Sequence, residues 1–322
     1  MIDFRYHVVS LVSIFLALAV GIVLGAGPLN EGISTGITDQ VKQLTAEKNQ
    51  LRSERDAALT ATKAQDSWAE AVTPALVARQ LGGRSVAVVE LPGADSSQVD
   101  ATVDVLEQAG ATVSTQVTIQ NSWIDPAKQS DRDDVADELT GQLTTAPATD
   151  AGTEDVLAAE LARALVTTEL AQTGQPDEGG AAVLKTLTDA GLVEVDGGTD
   201  ASGQRATLAL LVGGAPDSDA TDAQVTTDDA AWVALARELD AASAGALLAG
   251  PPEAAADGGP VAALRSDKDV AATVSGVDDL DSPIGRVNVV LGLRQQLSGG
   301  AGQYGTAGSA DAVSPQLPAA PQ

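Results

Sequence analysis

The feature that most constrains this chain is a stretch without any charged side chain, which runs from Val8 to Asn30. About 20 apolar residues in a helix span the roughly 30 Å hydrocarbon core of a bilayer, and Val8 to Gly27 supplies that length. A secretory signal has a shorter apolar run and a small-residue cleavage site, whereas here Gly25-Ala26-Gly27 is followed by Pro28. The pattern therefore favours an uncleaved transmembrane anchor over residues 1–29, with cleavage as the alternative.

The charges beside this run predict its orientation. The N-terminal amino group and Arg5 outweigh Asp3, and the more positive flank of a membrane helix stays in the cytoplasm. We therefore expect a single-pass protein in contact with membrane lipid, with a cytoplasmic N-terminus and an extracytoplasmic C-terminal part.

Small residues recur every four positions along the anchor and so share one helix face. Two of them form a Gly-x-x-x-Gly pair, which lets two membrane helices approach closely. We predict that copies of the anchor pack through this face, although small residues also occur in membrane helices that do not pair. The face consists of Ser13, Ala17, Gly21 and Gly25.

Residues 30–80 are predicted to form a coiled-coil stalk after a break at Gly27-Pro28. Apolar residues recur there at heptad spacing, with Lys48 and Arg55 as imperfections in the seam. If the seam positions are a and d, Glu47 at g faces Arg52 at e of a parallel copy, which favours an in-register homo-oligomer. The seam consists of Ile37, Val41, Leu44, Leu51 and Ala58.

A single amphipathic helix packed on its own domain is the alternative explanation of the stalk pattern. In either case, Pro74 is expected to end or kink the helix, because proline lacks the N–H that the helix requires.

Residues 82–297 are predicted to form an extracytoplasmic α/β domain of Rossmann-like type. An apolar strand at Ser85–Leu91, a helix capped near Ser97 and Asp100, and a second strand at Thr112–Ile119 form a βαβ unit. Its parallel strands require helices against the sheet. The sequence thus indicates a layered α/β fold.

Further elements follow the same alternation. A capping box at Thr226 to Asp229 predicts the start of one helix, and Ser282-Pro283 predicts the start of the last. The predicted helices are 154–170, 180–190, 227–242 and 283–297, and the predicted strands are 207–212, 246–249 and 270–274. The Gly-, Pro- and Ala-rich tail, residues 298–322, is expected to be flexible because it has little to bury.

The side-chain inventory excludes several kinds of chemistry. The chain has no cysteine, one methionine (Met1) and one histidine (His7), so it cannot form disulfides, thiolate sites or histidine-dependent triads. With 45 acidic and 18 basic residues, its net charge of −27 opposes binding to nucleic acid. We predict no enzyme activity, and no catalytic, cofactor-binding or metal-binding residues.

Three local patterns could suggest a ligand or metal site, but each has a simpler structural interpretation. The Gly213-Gly214 pair at a strand end favours a turn over a ligand pocket. Asp217, Asp219 and Asp222 lack the glycine and glutamate of a calcium loop and indicate a solvated acidic loop. The acidic residues around Arg132 indicate a charged, solvated helix start.

Two long motifs carry a family resemblance. The first is FRYHVVSLVSIFLALAVGIVLG at residues 4–25, and the second is SPIGRVNVVLGLRQQLSGGAGQYGTAG at residues 282–308. With the stalk and the α/β middle, the chain resembles the actinobacterial MctB copper-transport family over nearly its whole length.

The resemblance implies a role in copper efflux or copper homeostasis, and a channel-forming protein of the outer membrane. It also leaves a second role open, a SteB-like scaffold in envelope assembly or cell division that binds a SteA-like membrane partner without binding copper. Copper(I) prefers Cys and Met and copper(II) prefers His, so the residues do not favour direct copper binding outside the membrane. The family pattern further presents Tyr304 as a docking residue, and contact with the last helix is the alternative.

Overall fold

The computed structural model describes residues 4–25, 29–142, 152–175, 177–196 and 204–316. It divides the chain into two compact units, residues 1–65 and 66–322. The predicted break at Gly27-Pro28 lies outside the described residues.

The first unit contains helix α1 (Phe4–Gly25) and most of helix α2 (Leu29–Val77). Helix α1 has 22 residues, and it is the one helix of the described residues that is long and apolar enough to cross a membrane. Length and composition therefore agree with the predicted anchor.

Pro74 was expected to end or kink helix α2; the helix does not end there but continues to Val77. Proline removes only one helical hydrogen bond, and the neighbouring Thr73 and Val77 are buried in the second unit. Their packing keeps the last turn helical. Burial in the second unit begins near Ala69 of this helix.

The second unit contains a seven-stranded sheet and eight further helices within its described residues. The strands are β1 (Ser85–Glu90), β2 (Thr112–Ile119), β3 (Val193–Val195), β4 (Leu208–Val212), β5 (Ala246–Ala249), β6 (Ser275–Val277) and β7 (Gln303–Tyr304). The helices are α3 (Ser96–Gln108), α4 (Gln129–Gln142), α5 (Thr153–Leu165), α6 (Glu178–Asp189), α7 (Asp222–Ala242), α8 (Pro260–Ser266), α9 (Lys268–Ala271) and α10 (Pro283–Gln296).

The strand order is β3-β2-β1-β4-β5-β6-β7, and every neighbouring pair is parallel except β2 and β3. If the parallel strands alone are numbered, the order becomes 2-1-3-4-5-6, rather than the 3-2-1-4-5-6 of the Rossmann fold. The α/β class is confirmed, whereas the Rossmann-like description is not.

Alternating residues of the central strands β1, β4 and β5 enter two separate cores, one on each face of the sheet. Ala87 and Val89 of β1 join the core formed with helices α4 to α8, while Val86 and Val88 join the core formed with the end of α2, α3 and α10. Strands buried on both faces are apolar throughout. This explains the apolar run of residues 86–89 within β1.

Two helix starts differ from the prediction. Helix α3 is capped by Asp95, whose carboxylate accepts a hydrogen bond from Ser97 N at 2.8 Å. Helix α7 begins at Asp222 with a capping box of Thr221 and Gln224, so the predicted box at Thr226 lies inside the helix. The upstream residues form the better cap because their backbone is extended there.

The predicted strand at 270–274 is also wrong. Asp267 accepts hydrogen bonds from the backbone N–H groups of Asp269 and Val270 and so caps the short helix α9. The strand begins only at Ser275. The Asp267 cap holds Val270 in helix α9, so the strand cannot begin there.

The flexible tail is corrected for residues 298–316. Gln303 and Tyr304 form the buried edge strand β7, and Asn288 Nδ2 of α10 donates to the carbonyl of Val313 at 2.9 Å. Hydrogen bonds, together with burial of the Tyr304 ring in the core, hold this segment. Composition therefore could not reveal it.

Candidate functional site

The predicted small-residue face lies on α1 as a continuous strip. Side chains added at Gly21 or Gly25 would meet no atom within 4 Å, so the face is open to another helix. Ser13 Oγ donates to the carbonyl of Val9 at 2.9 Å, which satisfies its polar group within the helix. Pairing through Ser13, Ala17, Gly21 and Gly25 stays a prediction.

The predicted seam of α2 is uncovered in the first unit. Leu44 and Leu51 are 63% and 59% exposed, and Val41 is exposed beside them. Lys48 and Arg55 flank the leucines in one shallow surface depression. Ala58 continues the strip, whereas the side chain of Ile37 lies outside the described side chains. Large aliphatic groups aligned along one exposed face favour an interaction partner, but coiled-coil formation stays a prediction.

The carboxyl edge of the parallel sheet is where an α/β fold usually holds a ligand. Here the loops after β1 and β4 meet backbone to backbone, and a Cβ added at Gly214 would overlap the carbonyl of Gly93. A Cβ at Gly213 would overlap the ring of Pro260. These overlaps leave little space for a ligand between the two loops, but residues 213–217 are not in a turn, and the turn lies at residues 218–219.

A cleft of about 390 Å³ lies beside this edge, between the residues that follow β2 and the start of α7. Asp125, Asp217 and Asp228 line it. Burial, and next the charge of Asp217, raises the pKa of the Asp228 carboxyl. The described residues contain no group of three or more His, Cys, Asp or Glu side chains placed to hold a metal ion.

The acidic loop has the simpler role that the sequence indicated. Asp217 Oδ1 accepts a hydrogen bond from Asp219 N at 2.9 Å, and Asp222 opens α7 directly after the Thr221 cap. Asp217 therefore stabilises the turn before α7, and Asp222 begins the helix that follows the turn.

Arg132 is not part of a solvated helix start, although α4 does begin there. Its side chain is 2% exposed, and its guanidinium donates to the carbonyls of Ser122 and Asp125 and to Gln129 Oε1. Arg132 therefore holds the loop after β2 against α4. A positive charge among acidic neighbours in the sequence gave no signal of these backbone partners.

A buried ion pair fixes the C-terminal segment after β7. Arg265 Nη1 lies 2.7 Å from Asp278 Oδ2, and both side chains are almost fully buried. Asp278 Oδ1 also accepts hydrogen bonds from the backbone N–H groups of Thr306 and Ala307 at 2.7 and 3.2 Å. Gly305 approaches this carboxylate so closely, at φ +131°, that any side chain would overlap it.

Tyr304 faces the protein interior. Its hydroxyl donates to Gln295 Oε1 on α10 at 2.5 Å, and Arg265 Nη2 donates to its carbonyl at 2.8 Å. The structure thus agrees with contact to the last helix rather than with a free docking residue.

Asp279 next to the ion pair is 5% exposed, and its Oδ1 has no hydrogen-bond partner among the described residues. Burial, and next the charge of Asp278, raises the pKa of Asp279 to about 6, while a hydrogen bond from Asn288 acts in the opposite direction. Asp279 therefore retains a proton in the folded state at a pH where the unfolded chain has lost it.

We expect the second unit to lose stability as the pH rises. The contribution of Asp279 is fully present below its unfolded pKa of 3.8 and is lost as the pH rises through about 6, and Asp229, with a pKa of about 6, acts in the same direction. Asp279→Asn should remove up to about 3 kcal/mol of this change between pH 4 and pH 7. Urea unfolding at several pH values measures it, and an unchanged slope would contradict the assignment.

An apolar groove of about 440 Å³ lies between the end of α2 and α10. Trp68 and Val72 form one wall, and Ile284 and Leu291 form the other. The groove belongs entirely to the second unit. The groove could not be predicted from the sequence, because its two walls are about 200 residues apart in the chain.

Comparison with known proteins gives the family. A family model described as "Copper transport outer membrane protein, MctB" matches residues 1–315. Two proteins named copper transporter MctB, from Mycobacterium tuberculosis (strain ATCC 25618 / H37Rv) and Mycobacterium leprae (strain TN), are 29% and 30% identical to this chain over 320 and 321 residues. Each alignment covers 97% of this chain and 99% of the relative. The chain therefore belongs to the MctB family.

Proposed function

We propose that this protein is a single-pass membrane protein that takes part in copper efflux or copper homeostasis. The observation that carries the proposal is the family match over residues 1–315. It is supported by two relatives that are named copper transporters and that align with this chain over almost their whole length. The apolar helix α1 supports the membrane location. The family description names the outer membrane, whereas a cytoplasmic N-terminus requires the inner membrane, and fractionation of the two membranes decides between them.

The proposed topology follows from the positive charges that precede α1 and from the acidic, folded second unit that follows the stalk. Arg5 and the N-terminal amino group favour a cytoplasmic N-terminus. The acidic α/β unit then lies outside the cytoplasm. It would be presented there by a stalk whose exposed leucines pair with those of a second copy.

The donor groups limit how copper could be handled as cargo. Copper prefers thiolate, thioether and imidazole ligands, and Met1 and His7 are the chain's only methionine and histidine. Both lie at the proposed cytoplasmic end of the anchor. Copper would therefore pass along carboxylates and backbone carbonyls of an oligomer, or the protein would act on copper indirectly.

Copper content in cells tests this proposal. Deletion of the gene should raise cell-associated copper after copper exposure, and the intact chain should restore the original level. His7→Ala should restore it equally well, because one imidazole cannot form a copper path. Elemental analysis of washed cells gives the result. Unchanged copper in the deletion strain would contradict the copper role.

A scaffold in the cell envelope is the second candidate function, and the lack of soft ligands in the second unit favours it. Such a scaffold would bind a SteA-like membrane partner through α1 and α2. It predicts a co-purifying protein that is lost when Gly21 or the stalk is altered, with copper tolerance unchanged. A pore instead predicts conductance by the purified oligomer in a lipid bilayer.

Self-association is tested separately from copper. Leu51→Asp should weaken dimers of the full chain in nanodiscs at least about 100-fold, because each buried leucine contributes about 2–5 kcal/mol. Gly21→Leu should separate the anchors. Ala57→Asp, which adds the same charge outside the seam, is the matched control. If mass photometry shows equal dimer fractions for Leu51→Asp and the unaltered chain, the two copies do not pair through the seam of α2.

A further inference from the structure

The groove between the end of α2 and α10 holds the most exposed of the three tryptophans. Trp68 is 67% exposed, whereas Trp123 and Trp232 are 0% and 6% exposed. Ile284 on the opposite wall is 40% exposed. The described residues that line the groove carry no charge. An aromatic ring beside an aliphatic wall offers a large apolar surface for burial, so the groove fits an apolar occupant.

The C-terminal part of the chain reaches this groove within the described residues. Asn288 of α10 donates from Nδ2 to the carbonyl of Val313 at 2.9 Å, and the hydroxyl of Ser314 donates to Asn288 Oδ1. Asn288 is 0% exposed, so these two hydrogen bonds start from a fixed side chain. Pro315 is buried and Gln316 lines the groove beside it. The chain therefore lies in the groove at the point where the described residues end.

The sequence from residue 315 onward has the spacing of a polyproline II helix. Proline recurs every three residues, at positions 315, 318 and 321, and a polyproline II helix has three residues per turn. In that conformation the prolines share one edge, and Leu317 and Ala320 share a second apolar edge. The third edge carries the glutamines at positions 316 and 322, with Ala319 between them. Residues 317–322 contain no charged side chain.

We infer that residues 317–322 of this same chain cover the groove as a polyproline II segment, with the proline edge against Trp68 and the glutamine edge toward solvent. Proline-rich segments of this kind bind to grooves lined by aromatic side chains. Six such residues extend about 19 Å at roughly 3.1 Å each, which is enough to run along the groove. The segment would then join the end of α2 to α10.

The covalent connection favours this occupant over a separate partner. Because Gln316 already lies in the groove, the residues that follow it have an effective concentration there in the millimolar range or above. A free partner would have to displace them. The inference concerns the second unit alone, so it depends neither on the stalk nor on the copper role.

Acrylamide quenching of Trp68 fluorescence in the full chain in nanodiscs tests the inference. The Trp68 signal is the difference between each protein and the same protein with Trp68→Phe. Pro318→Asp places a charge on the edge that faces the groove and should raise the quenching constant of Trp68 at least about twofold. Ala319→Asp adds the same charge on the solvent edge and should leave quenching unchanged. Emission of Trp123 and Trp232 reports that each variant is folded.

Three results would overturn the inference. If Trp68 of the unaltered chain is quenched as readily as in Pro318→Asp, residues 317–322 do not cover it. If Pro318→Asp and Ala319→Asp raise quenching equally, the proline edge does not face the groove. If Leu51→Asp, which is designed to separate two copies, removes the shielding, a second copy covers the groove instead. Shielding that persists in Leu51→Asp and is lost in Pro318→Asp is the expected result.

Discussion

Replacing Asp278 with alanine is expected to lower the free energy of unfolding of the second unit by about 4 kcal/mol. The substitution leaves the buried guanidinium of Arg265 without its counter-charge, and removal of one member of a buried pair costs about 3–5 kcal/mol. It also removes the acceptor of the backbone N–H groups of Thr306 and Ala307. The C-terminal segment should then detach from β6.

Thermal unfolding followed by near-ultraviolet circular dichroism measures this effect. A loss of about 4 kcal/mol corresponds to a fall of about 8–16 °C in Tm for a unit of this size. Asp189→Ala breaks the exposed pair between Lys185 and Asp189 and should change stability by less than about 1 kcal/mol. Equal effects of the two substitutions would show that burial of the Arg265–Asp278 pair contributes nothing.

Replacing Gly214 with alanine is expected to be the second large effect. The added Cβ would overlap the backbone of Gly93, and a backbone atom cannot move aside as a flexible side chain can. Overpacking of this kind costs about 1–3 kcal/mol and occasionally more, and we expect about 3 kcal/mol here because both contacting groups are backbone.

Gly179→Ala provides a control with the same chemical change. Its added Cβ would approach Asp177 Oδ1 at 3.7 Å, an ordinary contact, and the residue lies within α6. Alanine should stabilise this helix by up to about 1 kcal/mol. Urea unfolding should therefore move in opposite directions for the two variants. A stable Gly214→Ala protein would mean that the two loops are free to separate.

Much of the fold followed from the sequence because its strands are buried on both faces. The ends of β2 and β5 agree with the predicted bounds, since β5 is a short buried apolar run and the second half of β2 alternates between buried and partly exposed residues. Helix α10 was marked at its start by the Ser282 cap and Pro283. These are local signals. No distant residue is needed to read them.

The features that the sequence could not show depend on partners far away in the chain. Strand β7 consists of Gln303 and Tyr304, whose composition resembles a flexible tail, and it is held by groups on β6 and α10. Arg132 looked solvated because the carbonyls that bind it belong to a preceding loop. Local periodicity carries no information on such contacts.

The candidate sites divide in the same way. The small-residue strip of α1 and the leucine strip of α2 were readable because each lies on one helix. The groove was not, because Ile284 of α10 forms half of it. The chemistry of copper handling rests on the family, since the side chains alone argue only against soft metal ligands in the second unit.

The central claim is that one apolar helix remains in the bilayer and holds the acidic α/β unit outside the cytoplasm. The most direct test attaches a label to each terminus and digests cells whose envelope has been made permeable to an added protease. The N-terminal residue of the membrane-bound protein is then determined by sequencing. We predict a chain that retains residues 4–25, an N-terminal label that is protected, and a C-terminal unit that is cleaved. A lipid-free protein that begins after Gly27, or a protected C-terminal unit beside a cleaved N-terminal label, would contradict the claim.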